Sequence, residues 1–135
     1  MRRSSAIRES EDAMPAARRR WITIVWLGSF LAAFVATHLP PSRLPTVPWI
    51  SDKVEHVGAF FFLALISAWK FQLAQWPVWL GRFALTLAFL ALYAAVDEWT
   101  QPWVGRSCEV GDWLADLAGS LLALGAVAIY ARISR

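Results

Sequence analysis

Four stretches of this chain carry no charged side chain: Trp21 to Thr37, Val57 to Trp69, Phe83 to Val96 and Leu117 to Ala131. Each is too uniformly apolar to be a surface helix of a soluble domain, which would alternate an apolar stripe with a charged face. A bilayer accepts such segments, and only backbones that satisfy their own hydrogen bonds, helices above all, can cross one. The balance of 58% apolar and 17% charged residues over 135 positions points the same way. The sequence therefore predicts an all-α integral membrane bundle of four transmembrane helices, at about 21–39, 53–70, 80–101 and 112–132. One four-helix domain, 18–135, follows a polar tail, 1–17, whose composition predicts disorder. The basic run Arg18, Arg19, Arg20 ahead of the first apolar stretch resembles a signal peptide, but no small-x-small cleavage site precedes Pro40, so an uncleaved helix is expected. Pro40, Pro41, Pro45 and Pro48 predict an extended connector, and Pro102 predicts the end of the third helix near Gln101.

Basic residues beside the spans set the expected orientation. With the N-terminus inside, the cytoplasmic segments hold Arg2, Arg3, Arg8, Arg18, Arg19, Arg20, Lys70, Arg82, Arg132 and Arg135, against Arg43, Lys53 and Arg106 outside. Both termini are thus placed in the cytoplasm. Tryptophans Trp21, Trp69, Trp76 and Trp79 fall at the inner ends and Trp49, Trp99, Trp103 and Trp113 at the outer ends, where their rings favour the headgroup level. The same ordering leaves seven acidic residues outside: Asp52, Glu55, Asp97, Glu98, Glu109, Asp112 and Asp116. The net charge of +3 does not signify nucleic acid, because the basic residues cap apolar runs instead of lining one face. Cys108 is alone, so it forms no internal disulfide.

The uncharged stretches of the last three helices have 13, 14 and 15 residues. Helical rise makes these only about 20–22 Å long, against a hydrocarbon core of about 30 Å. Measured from Lys70, Arg82 and Arg132, the groups Glu55 with His56, Asp97 with Glu98, and Asp116 arrive before the outer boundary does. A carboxylate facing lipid there costs on the order of 2.5–3.5 kcal/mol, so these side chains should turn inward. Spacing permits it: Asp52 and His56, Asp97 and Gln101, and Asp112 and Asp116 each lie one helical turn apart. Small residues Gly111, Ala115, Gly119 and Ala123 in the fourth helix, and Gly28, Ala32 and Ala36 in the first, read as helix-packing ridges. His38 has no motif around it and reads as a helix end at the interface.

The segments DKVEH at Asp52–His56, DEWTQ at Asp97–Gln101, and GRSCEVGD with LADLAG between Gly105 and Gly119 together resemble the VanZ-like family. That family's pattern is Asp-Lys-x-x-His opening the second helix, Asp-Glu-x-x-Gln closing the third, and a Gly-Arg loop leading into an Asp-containing fourth. The resemblance implies a small, multi-pass protein of the bacterial inner (cytoplasmic) membrane, associated with reduced susceptibility to teicoplanin-type glycopeptides. Its polar positions carry over as Asp52, Lys53, His56, Asp97, Glu98, Gln101, Arg106, Asp112 and Asp116. Where the family typically has Asn in the fourth helix, this chain has Asp116, which is either a neutral hydrogen-bonding acid or an added charge.

Three chemistries fit these residues. The first is a binding or modulating protein whose acidic site engages a membrane lipid or lipid-linked envelope molecule. The second is an enzyme acting on a lipid-linked intermediate, with His56 as acid/base or nucleophile, Asp52 orienting it, and Lys53 or Arg106 neutralising a phosphate. The third is interhelical cohesion alone, for which neutral side chains would serve without like-charge repulsion. A divalent metal, Mg²⁺, Mn²⁺ or Zn²⁺, is compatible with Asp52, His56, Asp97, Glu98 and Asp112 as ligands but is not demanded by them. The polar residues imply no oligomeric state.

Overall fold

The computed structural model describes residues 15–39, 51–74 and 80–134, and is helical throughout, apart from the turns and loop segments between helices. Its helices are α1 (Ala16–Thr37), α2 (Asp52–Lys70), α3 (Leu80–Thr100) and α4 (Val110–Ile133), with a 3₁₀ turn at Gln101–Val104. Residues 1–14, the proline connector, Trp49, Trp76 and Trp79 lie outside the described residues. Three helical segments, Ala16–Thr37, Leu80–Val104 and Val110–Ile133, are long and apolar enough to cross a membrane. The second helix carries Asp52, Lys53, Glu55 and Lys70 at its ends and is not among them.

The expected boundaries need small corrections. The first helix begins at Ala16, inside the stretch read as tail, because Ala16 and Ala17 are strong helix formers behind Pro15, whose φ of −52° already suits a helix start. The fourth begins at Val110, two residues early, with the Glu109 carbonyl accepting from the Asp112 and Trp113 amides. The third ends at Thr100 and tightens into the 3₁₀ turn, in which Pro102 sits at a position needing no amide donor. Gly105 closes that turn at φ 79°, a left-handed conformation that glycine adopts without steric cost. The α2 C-terminus is a Schellman turn: the Leu73 amide donates to Ala68 O and the Gln72 amide to Trp69 O, with Gln72 at φ 55°.

The most extensive packing is between α2 and α4, and α2 also touches α1 and α3. Its cause is Gly119: a Cβ placed there would come 2.2 Å from Val57 O, so only glycine admits this approach. Phe60, Leu63, Ala64, Leu90, Ala94, Ala123 and Leu124 fill the core between the helices. Between α1 and α3, Phe30 and Tyr93 meet edge to face at 4.8 Å, and Tyr93 Oη donates to Phe30 O at 2.8 Å. Trp26 Nε1 donates to Ser67 Oγ at 3.0 Å, which satisfies the indole N–H of a tryptophan in the middle of α1. Outward, Leu31, Leu85, Leu92, Leu114, Leu122 and Ile129 are exposed. So much exposed apolar surface suits lipid, not water.

The Gly28, Ala32 and Ala36 ridge is corrected by the packing. All three face away from the bundle, and a Cβ at Gly28 would meet nothing within 4 Å.

Candidate functional site

The C-terminal ends of α1 and α3 and the N-terminal ends of α2 and α4 gather at one end of the bundle, through contacts of Thr37 with Asp97, His56 with Asp116, and Glu98 with the Glu109 amide. Arg18, Arg19, Arg20, Lys70, Arg82 and Arg132 occupy the other helix ends, where Lys70 Nζ donates to Thr23 Oγ1. Four carboxylates at the first end are removed from solvent: Asp116 is 0% exposed, Asp97 1%, Glu98 3% and Asp112 4%, with His56 among them at 7%. Asp52, Glu55 and Glu109 stay exposed, so the seven acidic residues divide into a buried and a surface set.

The buried set is held by specific donors. His56 Nδ1 lies 2.8 Å from Asp116 Oδ1 and donates its proton to that oxygen. The other ring nitrogen, Nε2, is 4.0 Å from Asp112 Oδ2. Asp116 rather than Asp52 therefore makes the hydrogen bond that orients His56, and Asp52, one turn away on the same helix, comes within 4.8 Å. Lys53 Nζ donates to Asp112 Oδ1 at 2.7 Å and sits 3.6 Å from Glu109. Gln101, turned inward by the 3₁₀ turn, donates through Nε2 to Glu98 Oε1 at 2.8 Å and lies 3.4 Å from Asp97 Oδ2. The Glu109 amide donates to Glu98 Oε2 at 3.1 Å, so both Glu98 oxygens have a neutral donor.

Asp97 turns the opposite way, toward α1. Thr37 Oγ1 donates to Asp97 Oδ1 at 2.8 Å, and His38 Nδ1 is 3.7 Å from the same oxygen. The His38 ring stacks on Phe34 with centroids 3.9 Å apart, and its Nε2 lies 2.9 Å from Thr100 Oγ1. His38 thus belongs to the polar cluster and does more than end a helix, and neither it nor Thr37 was singled out from the sequence as a site residue. The signal available was weak: two polar residues closing an apolar run at the depth already assigned to Asp97.

Two overlapping groups have the spacing for a metal ion: Asp52, His56 and Asp112, and His56, Glu98 and Asp116, with one donor atom from each residue within 4.8 Å of the others. Asp97 is in neither, because Thr37 and His38 draw it toward α1. Arg106 is half-buried in the loop after the 3₁₀ turn, and its side chain makes no hydrogen bond or ion pair among the described residues. Only its backbone amide is tied down, to Gln101 O at 3.2 Å. The structure thus brings together Asp52, Lys53, His56, Asp97, Glu98, Gln101, Asp112 and Asp116, and leaves Arg106 beside them.

Such a site can polarise His56 through Asp116, hold a cation between imidazole and carboxylates, or bind a cationic group at its Asp52 side. The fold and site are those of an all-helical protein with helices fit for membrane crossing and a buried His–carboxylate cluster at one end. Comparison of the chain with family models, curated proteins and solved structures finds no match.

Proposed function

We propose that the chain is a VanZ-like protein of the bacterial cytoplasmic membrane that binds a cell-envelope lipid or lipid-linked molecule through this cluster and thereby modulates the response to teicoplanin-type glycopeptides. It crosses the membrane four times, α2 included, with both termini in the cytoplasm and the cluster toward the outer leaflet. The observation that carries the reading is the burial of four carboxylates, Asp97, Glu98, Asp112 and Asp116, among side chains from all four helices. Cohesion alone would be served by neutral groups without like-charge repulsion, so the excess acidity favours a ligand. A negative site of this kind selects amine headgroups or metal ions over anions. Asp97→Ala and Glu98→Ala should each return a host to the glycopeptide susceptibility of cells lacking the protein, at unchanged membrane abundance. Full function in both variants would end the proposal.

The 2.8 Å contact of His56 Nδ1 with Asp116 favours a second reading, a membrane enzyme acting on a lipid-linked envelope intermediate. Asp116 would hold the ring so that Nε2 is the free base. Release of phosphate from a polyprenyl phosphate by the purified protein, abolished in His56→Gln, is the result that would favour turnover over binding.

A further inference from the structure

We propose that His56, Glu98 and Asp116 hold a divalent transition-metal ion, of the Mn²⁺ or Zn²⁺ kind, between α2, α3 and α4. The inference rests on the polar site read above as the ligand site, and names what occupies its deepest part. Each of the three residues is buried, and each offers a donor atom within 4.8 Å of the other two. Independently, Asp116 Oδ2 is fully buried and has no hydrogen-bond partner among the described residues. A carboxylate oxygen stripped of water is costly unless a positive group supplies what water no longer does. Ser120 Oγ, one turn further along α4, is a second buried atom without a partner among the described residues.

The distribution of charge locates the deficit. Lys53 answers Asp112, while Thr37 and His38 gather at Asp97. Among the described residues Glu98 is met only by an amide side chain and a backbone amide, and His56 reaches just one oxygen of Asp116. Glu98, which no cationic side chain pairs with among the described residues, and Asp116, whose second oxygen is unanswered there, are thus the two carboxylates that share a candidate metal group with His56.

The donor chemistry selects the ion. One imidazole nitrogen with carboxylate oxygens suits Mn²⁺ or Zn²⁺ better than Ca²⁺, which takes oxygen ligands. The 2.8 Å between His56 Nδ1 and Asp116 Oδ1 is close to the separation of neighbouring donors around an ion with bonds of about 2.1 Å. To ligate, Nδ1 gives up its proton to solvent, and the ion replaces it as the positive partner of the whole Asp116 carboxylate, Oδ2 included. Exposed Asp52 and then Asp112, which with His56 form the adjoining group, supply a way in.

The test uses the full chain, purified in mild detergent, stripped with chelator and titrated with Mn²⁺ under electron paramagnetic resonance. About one Mn²⁺ should bind per chain, and its spin-echo spectrum should show coupling to an imidazole nitrogen. Asp116→Asn and Glu98→Gln should each weaken binding about tenfold or more, while Asp97→Asn, equally buried but outside the group, should retain it. Should the variants fold poorly, the wild-type spectrum alone decides: bound Mn²⁺ without nitrogen coupling, or no bound Mn²⁺, overturns the proposal. Unchanged affinity in Asp116→Asn and Glu98→Gln does the same. A protein that binds Mn²⁺ in this way but never alters glycopeptide response upholds the metal site and defeats the envelope reading, whereas a glycopeptide effect without bound metal does the reverse.

Discussion

Asp97 and Glu98 are neighbours in sequence, yet their carboxylates serve different parts of the bundle. Successive positions on a helix diverge by about 100°, so Asp97 meets Thr37 and His38 on α1 while Glu98 meets Gln101 and the loop before α4. The Thr37 hydroxyl is the closest donor to Asp97 Oδ1, at 2.8 Å. Removing it without changing shape, in Thr37→Val, leaves a buried carboxylate oxygen short of a partner and should cost about 1–3 kcal/mol. Thermal unfolding in detergent should show a lowered midpoint for Thr37→Val and a near-native one for Thr37→Ser; equal midpoints for Thr37→Val and the unaltered chain would mean that the bond contributes nothing. The inward turn of Asp97, Glu98 and Asp116 was legible in the sequence because depth and spacing are counted along one helix. The choice of Asp116 as the partner of His56, and the recruitment of His38, were not legible, since each depends on how two helices are rotated against one another.

At the scale of the helix, small residues on α4 and α1 look alike in sequence and behave differently in the fold. Gly119 is pressed against Val57 O, and a Cβ there would also reach 3.0 Å from the Phe61 amide nitrogen, whereas Gly125 on the same helix has nothing within 4 Å. Gly119→Ala must therefore push α2 and α4 apart, at a cost of about 1–3 kcal/mol for overpacking, while Gly125→Ala should be nearly neutral. Circular dichroism melts of the two variants provide the comparison, and an unaltered midpoint for Gly119→Ala would show that α2 and α4 do not touch as described. The ridge on α1 follows the same spacing but points outward. Periodicity identifies a face, and only packing decides what that face meets. Helix ends show the same division: Pro102 announced the close of α3, but the Schellman turn after α2 has Gln72 where glycine would have signalled it.

For the whole molecule, the separation of charge between the two ends of the bundle carries a test of orientation. Cys108 is exposed in the loop between the 3₁₀ turn and α4, next to the acidic cluster, and is the chain's one cysteine. If the basic helix ends face the cytoplasm, a membrane-impermeant maleimide should label Cys108 in cells whose inner membrane is intact, to about the extent seen after lysis. Labelling that appears only after lysis would reverse the proposed topology and place the cluster in the cytoplasm. The amino-acid order by itself predicted a helical chain with four membrane crossings, of which three helices are long and apolar enough, and placed seven of its ten acidic residues at one set of helix ends. Those properties are sums over single segments, because the cost of placing a side chain in hydrocarbon depends on that side chain and its depth. Tertiary structure decided which carboxylate holds His56, why Asp97 leaves the candidate metal group, and which glycine is irreplaceable. A hydrogen bond needs two groups within about 3 Å of each other, and residues far apart in the chain reach that distance only once the helices have packed.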